Sequence, residues 1–460
     1  MSADRKAGIS LSFVIVGAGI AGLAAAYRLR VAGHEVCILE KRNGPATGET
    51  AITLPPNMSR ILYRWGLESK LQELALHRTA MTFKSCETGE TTIEYLYSEG
   101  IIQDLGAATL MMKHKDLHSI LYALAVEIGV DIRFSAEVSS IDPWAPSVTL
   151  SSSEVVTADV VVGADGIKSV VRPYVSGGQN EADTDDIPVP LDAMTGDGEL
   201  RLLLETPTAT IWRGKGHTIY GCPLSGDRGY SLKMAFPPGG YEVGEDYDQT
   251  YEAAKLHLDT SSCEPRVQKL LRRMERFYPV IWKVRPALAS LLHDSKKVVL
   301  IGEAAHTVVP NLVHNAALGI EDAAVLAELA SRIRRQDEVE RLLSAYDEIR
   351  YSRGLALVYS EVANMRMMCM ISEESDHPYS KQFSEDQDIW VRSPTVVGIP
   401  DDTIDPEIML RWDRHLKTLN HDVYDDVDEW WHVWGRYMRG DLEEDAHGSV
   451  ATGKAASFGK

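Results

Sequence analysis

The strongest constraint on the fold is a glycine pattern between two short apolar runs near the start of the chain. Residues 13–16 form a β-branched apolar run, and Gly17, Gly19 and Gly22 follow it in G-x-G-x-x-G spacing. An Ala- and Leu-rich helical pattern comes next, and residues 36–39 form a second apolar run. A strand, a glycine turn, a helix and another strand in this order predict a β-α-β unit.

Each glycine of this unit has a physical function if the turn binds a dinucleotide. Gly17 permits the tight turn, Gly19 lets a pyrophosphate approach the backbone, and Gly22 allows close packing of helix on strand. The phosphates then lie at the helix N-terminus, where free N–H groups favour negative charge. Glu40 ends the second strand roughly 20 residues after the first glycine, where an acidic residue binds ribose hydroxyls. The motif alone does not distinguish NAD from FAD.

Composition indicates a globular protein and excludes several classes. Of the 460 residues, 44% are apolar and 25% are charged, and the net charge is −20 without a dense basic block, which argues against nucleic acid as a partner. The uncharged stretch 7–27 contains the glycine motif and is interpreted as part of the soluble fold rather than a membrane span. Five widely spaced cysteines without a C-x-x-C pair predict a reduced cytoplasmic compartment and no metal site.

Two later motifs repeat the pattern of an apolar run that ends in a turn. The first is A-D-V-V-V-G-A-D-G at 158–166, which includes Asp165 and Gly166 and continues into I-K-S-V-V-R. The second is the apolar run 298–301, followed by G-E-A-A-H at 302–306 and then by a long helical pattern.

With these three motifs the chain resembles the single-component, FAD-dependent aromatic hydroxylases, the group that includes salicylate and para-hydroxybenzoate hydroxylases. The resemblance covers about residues 12–353, including the pattern Tyr346-x-x-x-Arg350-x-x-Arg353. It implies an α/β fold: a Rossmann-like FAD-binding domain, interrupted by a mainly β substrate domain and followed by a helical C-terminal region. In this family NAD(P)H reduces the flavin and O₂ supplies the oxygen that is transferred to an electron-rich aromatic or enol carbon.

The resemblance and the strand patterns divide the chain into discontinuous units. The FAD-binding domain is assigned to 10–78, 109–182 and 290–360, the substrate sheet to 79–108 and 183–289, the helical region to 361–440, and a disordered tail to 441–460. Short strands are predicted at 200–204, 209–213, 218–222 and 230–236. The acidic, Pro-containing stretch 181–192 is predicted to be a linker.

The family's motifs assign residues to the cofactor. The first motif binds the ADP half of FAD, the G-A-D-G motif serves FAD and the nicotinamide donor, and the G-D-A-A-H motif holds the ribityl chain. The positions of this chain that match are Gly17, Gly19, Gly22, Glu40, Arg42, Ala51, His114, Asp165, Gly166, Glu303, Pro310, Asn315 and Ala316.

The chain departs from the family where the flavin ring would bind. The loop that usually reads G-Q-G, with backbone amides facing the ring, is Val313-His314-Asn315 here. A β-branched Val in place of glycine predicts backbone strain. Glu303 replaces an Asp, and His114 replaces an Arg whose charge Lys115 could restore. The helix that begins near Asn315 would direct its positive end at the negative charge of the reduced flavin.

These departures leave two enzymatic functions open. The favoured hypothesis is a monooxygenase acting on an aromatic, polyketide-like or alkaloid-like small molecule of secondary metabolism, with Arg201 and Tyr220 on substrate-domain strands polarising the substrate. The alternative is a non-redox cyclase or isomerase on the same scaffold, in which Glu303, His306 and His314 act as acid/base groups. The substrate, the choice between NADH and NADPH, and the oligomeric state are not determined by the sequence.

Overall fold

The computed structural model describes residues 5–46, 50–176, 182–189, 198–214, 217–224, 229–235, 251–253, 260–283, 287–306, 308, 313–369 and 415–439. The tail predicted at 441–460 and Pro310 therefore lie outside the described residues. No helix within these ranges is both long and apolar enough to cross a bilayer.

The described strands, in chain order, are β1 (Ser12–Val16), β2 (Glu35–Leu39), β3 (Ala51–Leu54), β4 (Leu76–His77), β5 (Ala80–Ser85), β6 (Thr91–Leu96), β7 (Leu110–Lys113), β8 (Asp131–Arg133), β9 (Val138–Asp142), β10 (Ser147–Leu150), β11 (Val155–Thr157), β12 (Val160–Gly163), β13 (Ala182–Val189), β14 (Thr208–Gly214), β15 (His217–Pro223), β16 (Tyr230–Ala235), β17 (Tyr251–Glu252), β18 (Arg276–Lys283) and β19 (Val298–Leu300). The helices are α1 (Ile20–Val31), α2 (Pro56–Arg64), α3 (Glu68–Leu74), α4 (Glu99–Leu105), α5 (His114–Glu127), α6 (Arg172–Ser176), α7 (Gly198–Glu205), α8 (Pro265–Arg273), α9 (Asn315–Ala330), α10 (Val339–Cys369) and α11 (Val423–Arg439).

A five-stranded parallel sheet holds the three sequence motifs. Its order is β19-β12-β1-β2-β8, so the strands that precede the three motif turns lie side by side. Because parallel strands end at the same edge of a sheet, the three turns meet there. Helices α1 and α9 pack beside each other, and the predicted β-α-β unit is confirmed as β1-α1-β2.

An eight-stranded mixed sheet is built from two separate segments of the chain. Its order is β17-β18-β13-β16-β15-β14-β5-β6, with strands drawn from residues 80–96 and 182–283. The strand predictions at 209–213, 218–222 and 230–236 are confirmed as β14, β15 and β16. The division of the chain into domains stays a prediction.

Two local predictions in this region are wrong. The stretch 181–192 was predicted as a linker, but β13 occupies most of it and pairs with β16 on one side and β18 on the other. Pairing on both sides supplies backbone hydrogen bonds that the acidic composition does not reveal. The stretch 200–204 was predicted as a strand, but it is part of α7. Leu, Arg and Glu favour helix over strand, and a short apolar run does not distinguish the two.

Candidate functional site

The glycine turn after β1 has the geometry that pyrophosphate binding requires. Gly17 has φ +102°, a conformation that side chains disfavour. A Cβ on Gly22 would collide with the carbonyl oxygen of Gly17, so α1 packs against the turn only because residue 22 has no side chain. A Cβ on Gly19 would meet no atom within 4 Å, which leaves open space at the N-terminus of α1. The ADP half of FAD fits this turn.

Ala18, between the first two glycines, is fixed from both sides. Its N–H donates to Glu40 Oε2 at 2.8 Å, and its carbonyl accepts a hydrogen bond from His118 Nε2 at 2.8 Å. The other carboxylate oxygen of Glu40 accepts from the Arg42 backbone N–H at 2.9 Å. Burial lowers the pKa of His118, so the ring is neutral and holds one proton for this bond. The turn is therefore rigid before any ligand arrives.

We expect Glu40→Gln to weaken FAD binding roughly tenfold, because an amide offers one acceptor where the carboxylate offers two, and a lost hydrogen bond costs about 1 kcal/mol. Titration of the apoprotein with FAD, followed by flavin fluorescence, measures the dissociation constant. Glu35→Gln, on the exposed start of the same strand, is the matched control. Equal affinities for the two variants would show that Glu40 does not organise the turn.

His114 is neutral, as its sequence position implied. Burial and the neighbouring His118 lower the pKa of His114 to about 4, and the two rings stack with centroids 6.4 Å apart. Arg42 lies close enough to lower the pKa of both rings. The positive charge that the family's arginine would bring is thus supplied near this position by Arg42.

The predicted cofactor residue Ala51 lies at the start of β3, and its carbonyl oxygen accepts a hydrogen bond from Lys233 Nζ at 2.9 Å.

The turns of the second and third motifs are bonded to each other. Arg172 is 3% exposed and donates from one nitrogen to the carbonyl oxygens of Ala304 and Ala305, at 2.7 and 2.9 Å. Asp165 accepts from the backbone N–H of Val170 at 2.7 Å. Gly166 has φ +72°, and a Cβ there would lie 3.6 Å from Glu303. The predicted cofactor residues Asp165, Gly166 and Glu303 therefore lie together at the sheet edge.

The departures at Glu303 and Asn315 are coupled. Asn315 begins α9, and its Nδ2 donates to Glu303 Oε1 at 2.7 Å. Ala316, the next predicted cofactor residue, is half-buried in the first turn of the helix. The prediction of backbone strain at Val313 is wrong, since neither Val313 nor His314 nor Asn315 has a positive φ. The loop has taken a conformation that does not need glycine.

A carboxyl group from a distant helix caps this loop. Glu361 of α10 is 1% exposed, and its Oε1 accepts from the backbone N–H of His314 at 3.0 Å. It also bonds to the backbone N–H of Val313. Burial raises the pKa of Glu361 to about 7, and the two N–H groups act against that rise. The amides that the family directs at the flavin ring are therefore occupied by a side chain of this protein.

His306 belongs to a buried charge network. It is 4% exposed, lies 3.2 Å from Asp322 Oδ2, and its ring fills the space beside Gly354 that a Cβ would take. Asp322 also accepts from Arg350 Nε at 2.7 Å, and Arg350 forms an ion pair with Glu321 at 2.8 Å. These contacts join α9 to α10 and leave His306 no freedom to act on a substrate.

Among the remaining predicted catalytic residues, Arg201 is exposed, whereas Tyr220 and His314 share Arg78 as a neighbour. Arg201 lies on α7, has a side chain 66% exposed, and forms an ion pair with Glu205 at 2.7 Å. Tyr220 lies on β15, half-buried with its hydroxyl oxygen inside, and desolvation raises its pKa to about 12. His314 is 3% exposed, and burial lowers its pKa to about 3, so it is a weak base at neutral pH. Glu303, His306 and His314 each contact different groups, so they do not form one acid/base site.

Sequence reasoning missed Arg78, Glu361 and a cysteine cluster. Arg78 lies beside Tyr220, and no motif signals it. Cys86, His217 and Cys263 place their ligand atoms within 4.8 Å of one another, with 3.1 Å between the two sulfurs, although they are far apart in sequence. The cluster belongs to the eight-stranded sheet and is remote from the motifs along the chain. Their proximity arises only through tertiary structure.

Comparison with known proteins also indicates an FAD-binding protein. A family model described as an FAD binding domain matches residues 10–360. The FAD-dependent monooxygenase cfoG of Aspergillus candidus is 30% identical over 417 residues, covering 83% of this chain and 90% of the relative. The FAD-dependent monooxygenase OpS4 of Beauveria bassiana is 28% identical over 361 residues, covering 75% and 82%.

Two solved structures show the same fold. CtdE in complex with FAD and a substrate has a TM-score of 0.72 at 19% identity, covering 94% of this chain and 100% of that chain. A salicylate hydroxylase substrate complex has a TM-score of 0.67 at 15% identity, covering 91% and 97%. The sequence relatives favour the monooxygenase over the cyclase or isomerase alternative. The chain therefore belongs to the FAD binding domain family and is one of its FAD-dependent monooxygenases.

Proposed function

We propose that the enzyme uses NAD(P)H and O₂ to hydroxylate or epoxidise an electron-rich aromatic or enol-type small molecule. The observation that carries this proposal is a buried set of polar groups between the loop before α9 and the eight-stranded sheet. Tyr220 lies on the sheet, His314 lies in the loop, and Arg78 is close enough to influence both. A substrate bound there lies between the sheet and the loop that the family places against the flavin ring.

The residues of this chain have separate functions in that reaction. Gly17, Gly19 and the fixed Ala18 would hold the pyrophosphate of FAD, and Glu40 orients the turn. Tyr220 is neutral because its pKa is raised, so its hydroxyl can donate to a substrate oxygen. Bound FAD supplies the redox and oxygen-transfer chemistry, while the protein positions it and excludes water.

For the nicotinamide donor, the groove beside the second motif is the best-supported position. It is lined by apolar side chains of residues 287–291 and of α10, with Arg172 and His306 at one side. The resemblance assigns the motif that contains Arg172 to both FAD and the donor. The groove therefore adjoins the turns that the resemblance assigns to FAD and the donor.

The test is a preparation of the full chain reconstituted with FAD. We expect stoichiometric flavin, NAD(P)H oxidation that rises when a panel of phenols and cyclic enols is added, and label from ¹⁸O₂ in the product. Gly19→Val is the matched negative control, because its side chain would fill the open space at the N-terminus of α1.

Two outcomes would contradict the proposal. One is a protein that refuses FAD yet converts a substrate, which would restore the cyclase or isomerase hypothesis. The other is flavin reduction without oxygen in any product across the panel, which would indicate a dehydrogenase or oxidase. Flavin content, label incorporation and the NAD(P)H consumed are read from the same samples, so the outcomes are separable.

A further inference from the structure

Arg78 is a buried arginine whose charge is balanced by no acidic residue in the described part of the chain. It follows β4, is 2% exposed, and its Nη2 lies 3.3 Å from the hydroxyl of Tyr97. Its guanidinium carbon lies 5.2 Å from the centre of the Tyr97 ring. Among the residues that the structure describes, Nε and Nη1 find no hydrogen-bond partner. Two donors of a permanent cation thus remain unused in the interior.

The neighbouring side chains do not supply the missing negative charge. Burial raises the pKa of Tyr220 to about 12, so that phenol is neutral. Burial lowers the pKa of His314 to about 3 and of His415 to about 4, and Arg78 acts in the same direction on both. Tyr220, His314 and His415 are therefore neutral neighbours of Arg78 and do not balance its charge.

Three other buried arginines have anionic or carbonyl partners, whereas Arg213, 5% exposed, lies over the ring of Phe83. Arg350 forms ion pairs with Glu321 and Asp322, Arg332 forms ion pairs with Glu328 and Asp428, and Arg172 donates to two carbonyl oxygens. An unpaired buried charge carries a large desolvation penalty, and an unsatisfied buried group calls for an explanation. A ligand that brings a negative charge would provide the missing partner.

The position of Arg78 points to the substrate as that ligand. His314 precedes α9, Tyr220 belongs to the eight-stranded sheet, and Arg78 lies beside Tyr220 and is close enough to lower the pKa of His314. Resting on the function proposed above, we propose that Arg78 binds an anionic oxygen of the substrate, either a carboxylate or an ionised phenol or enol. The planar guanidinium can form two parallel bonds with a carboxylate, and a charge-assisted bond with the single oxygen of an ionised phenol or enol. An ionised enol or phenol is also the more electron-rich form for oxygen transfer to carbon.

Matched small probes test this inference on the FAD-loaded enzyme. Salicylate is compared with salicylamide for the carboxylate, and 4-nitrophenolate is compared with 4-nitroanisole for the ionised phenol. Binding is followed by the change in flavin absorbance and by the melting temperature. We expect at least one anion to bind roughly tenfold or more tightly than its neutral counterpart, since a charge-assisted bond is lost in the latter.

Substitutions at Arg78 identify the residue responsible. Arg78→Met should abolish the preference for the anion, and Arg78→Lys should retain part of it because the charge remains. In the absence of ligand, Arg78→Met should also raise the melting temperature, because a buried unpaired charge has been removed. Arg133→Met, at an exposed arginine paired with Asp131 and Glu154, is the control and should change neither measurement.

Two results would overturn the inference. The first is a wild-type enzyme that shows no preference for either anion. The second is a preference that survives in a folded Arg78→Met variant, which would place the anion site elsewhere. Failure of the proposed function is read separately, from FAD content and NAD(P)H oxidation without probe. If the enzyme does not retain FAD, the same comparison is made by melting temperature on the flavin-free protein.

Discussion

Replacing Arg350 by methionine should lower the free energy of unfolding by about 3–5 kcal/mol, because it leaves two buried carboxylates without their shared cation. Arg350, Glu321 and Asp322 are each fully buried, with ion-pair distances of 2.8 and 2.7 Å. Arg353 and Asn57 still contact Glu321 after the change, whereas Asp322 loses its ion pair with arginine and keeps His306 and a backbone N–H. Chemical denaturation at neutral pH measures the loss.

The pH dependence of this loss has a definite sign. Arg350 holds the pKa of Glu321 and of Asp322 below their usual values, so the pairs stabilise the protein at neutral pH, and that stability is lost only in strong acid. In the variant without Arg350, the carboxyls of Glu321 and Asp322 are neutral below about pH 4, and the folded protein then contains no unpaired negative charge at these positions. The difference between variant and wild type should therefore shrink from pH 7 to pH 4. Arg133→Met serves as the control, and a difference that does not change with pH would show that packing, not charge, was lost.

This network shows what the sequence could and could not predict. The pattern that contains Tyr346, Arg350 and Arg353 was visible as part of the resemblance, but its function was not, because its partners lie on another helix. The β-α-β unit was predictable because its glycines act within a few residues of one another. The helix beginning at Asn315 was predicted for the same local reason.

The predictions that failed depended on contacts between distant segments. Arg201 was placed on a strand because residues 200–204 are mostly apolar, and only the structure shows that the helix carries it to the surface. Strain at Val313 was inferred from the residue type, whereas the cap that fixes this loop comes from Glu361, in a different helix. Arg78 had no motif at all. Contacts across the fold decide these positions, and spacing along the chain does not encode those contacts.

Glu361 leads to the second large effect, which concerns both stability and flavin binding. Its carboxyl is buried, has no cationic partner among the described residues, and is held by two backbone N–H groups of the loop before α9. Burial raises the pKa of Glu361 from 4.5 to about 7. In acid the carboxyl is protonated in both the folded and the unfolded protein, so its burial does not lower the free energy of unfolding. The destabilisation of the folded protein grows as pH rises from about 4.5 to 7 and is constant above pH 7. Glu361→Gln should therefore leave the melting temperature unchanged at pH 4.5 and raise it at pH 8.

The same substitution should strengthen FAD binding if the flavin ring uses the amides of Val313 and His314, as the family resemblance implies. Wild-type Glu361 competes for these two N–H groups, and most strongly above pH 7, where it is ionised. We expect Glu361→Ala to bind FAD roughly tenfold more tightly than wild type at pH 8, the value of about one hydrogen bond to a charged group, with the gap narrowing at pH 6. Glu338→Ala is the control: this buried glutamate accepts from the backbone N–H groups of Arg334 and Arg335 and is far from the loop in sequence. Equal FAD affinities for wild type and Glu361→Ala at both pH values, alongside the predicted gain in stability of Glu361→Gln, would mean that Glu361 only caps α9 and that the ring binds without these amides.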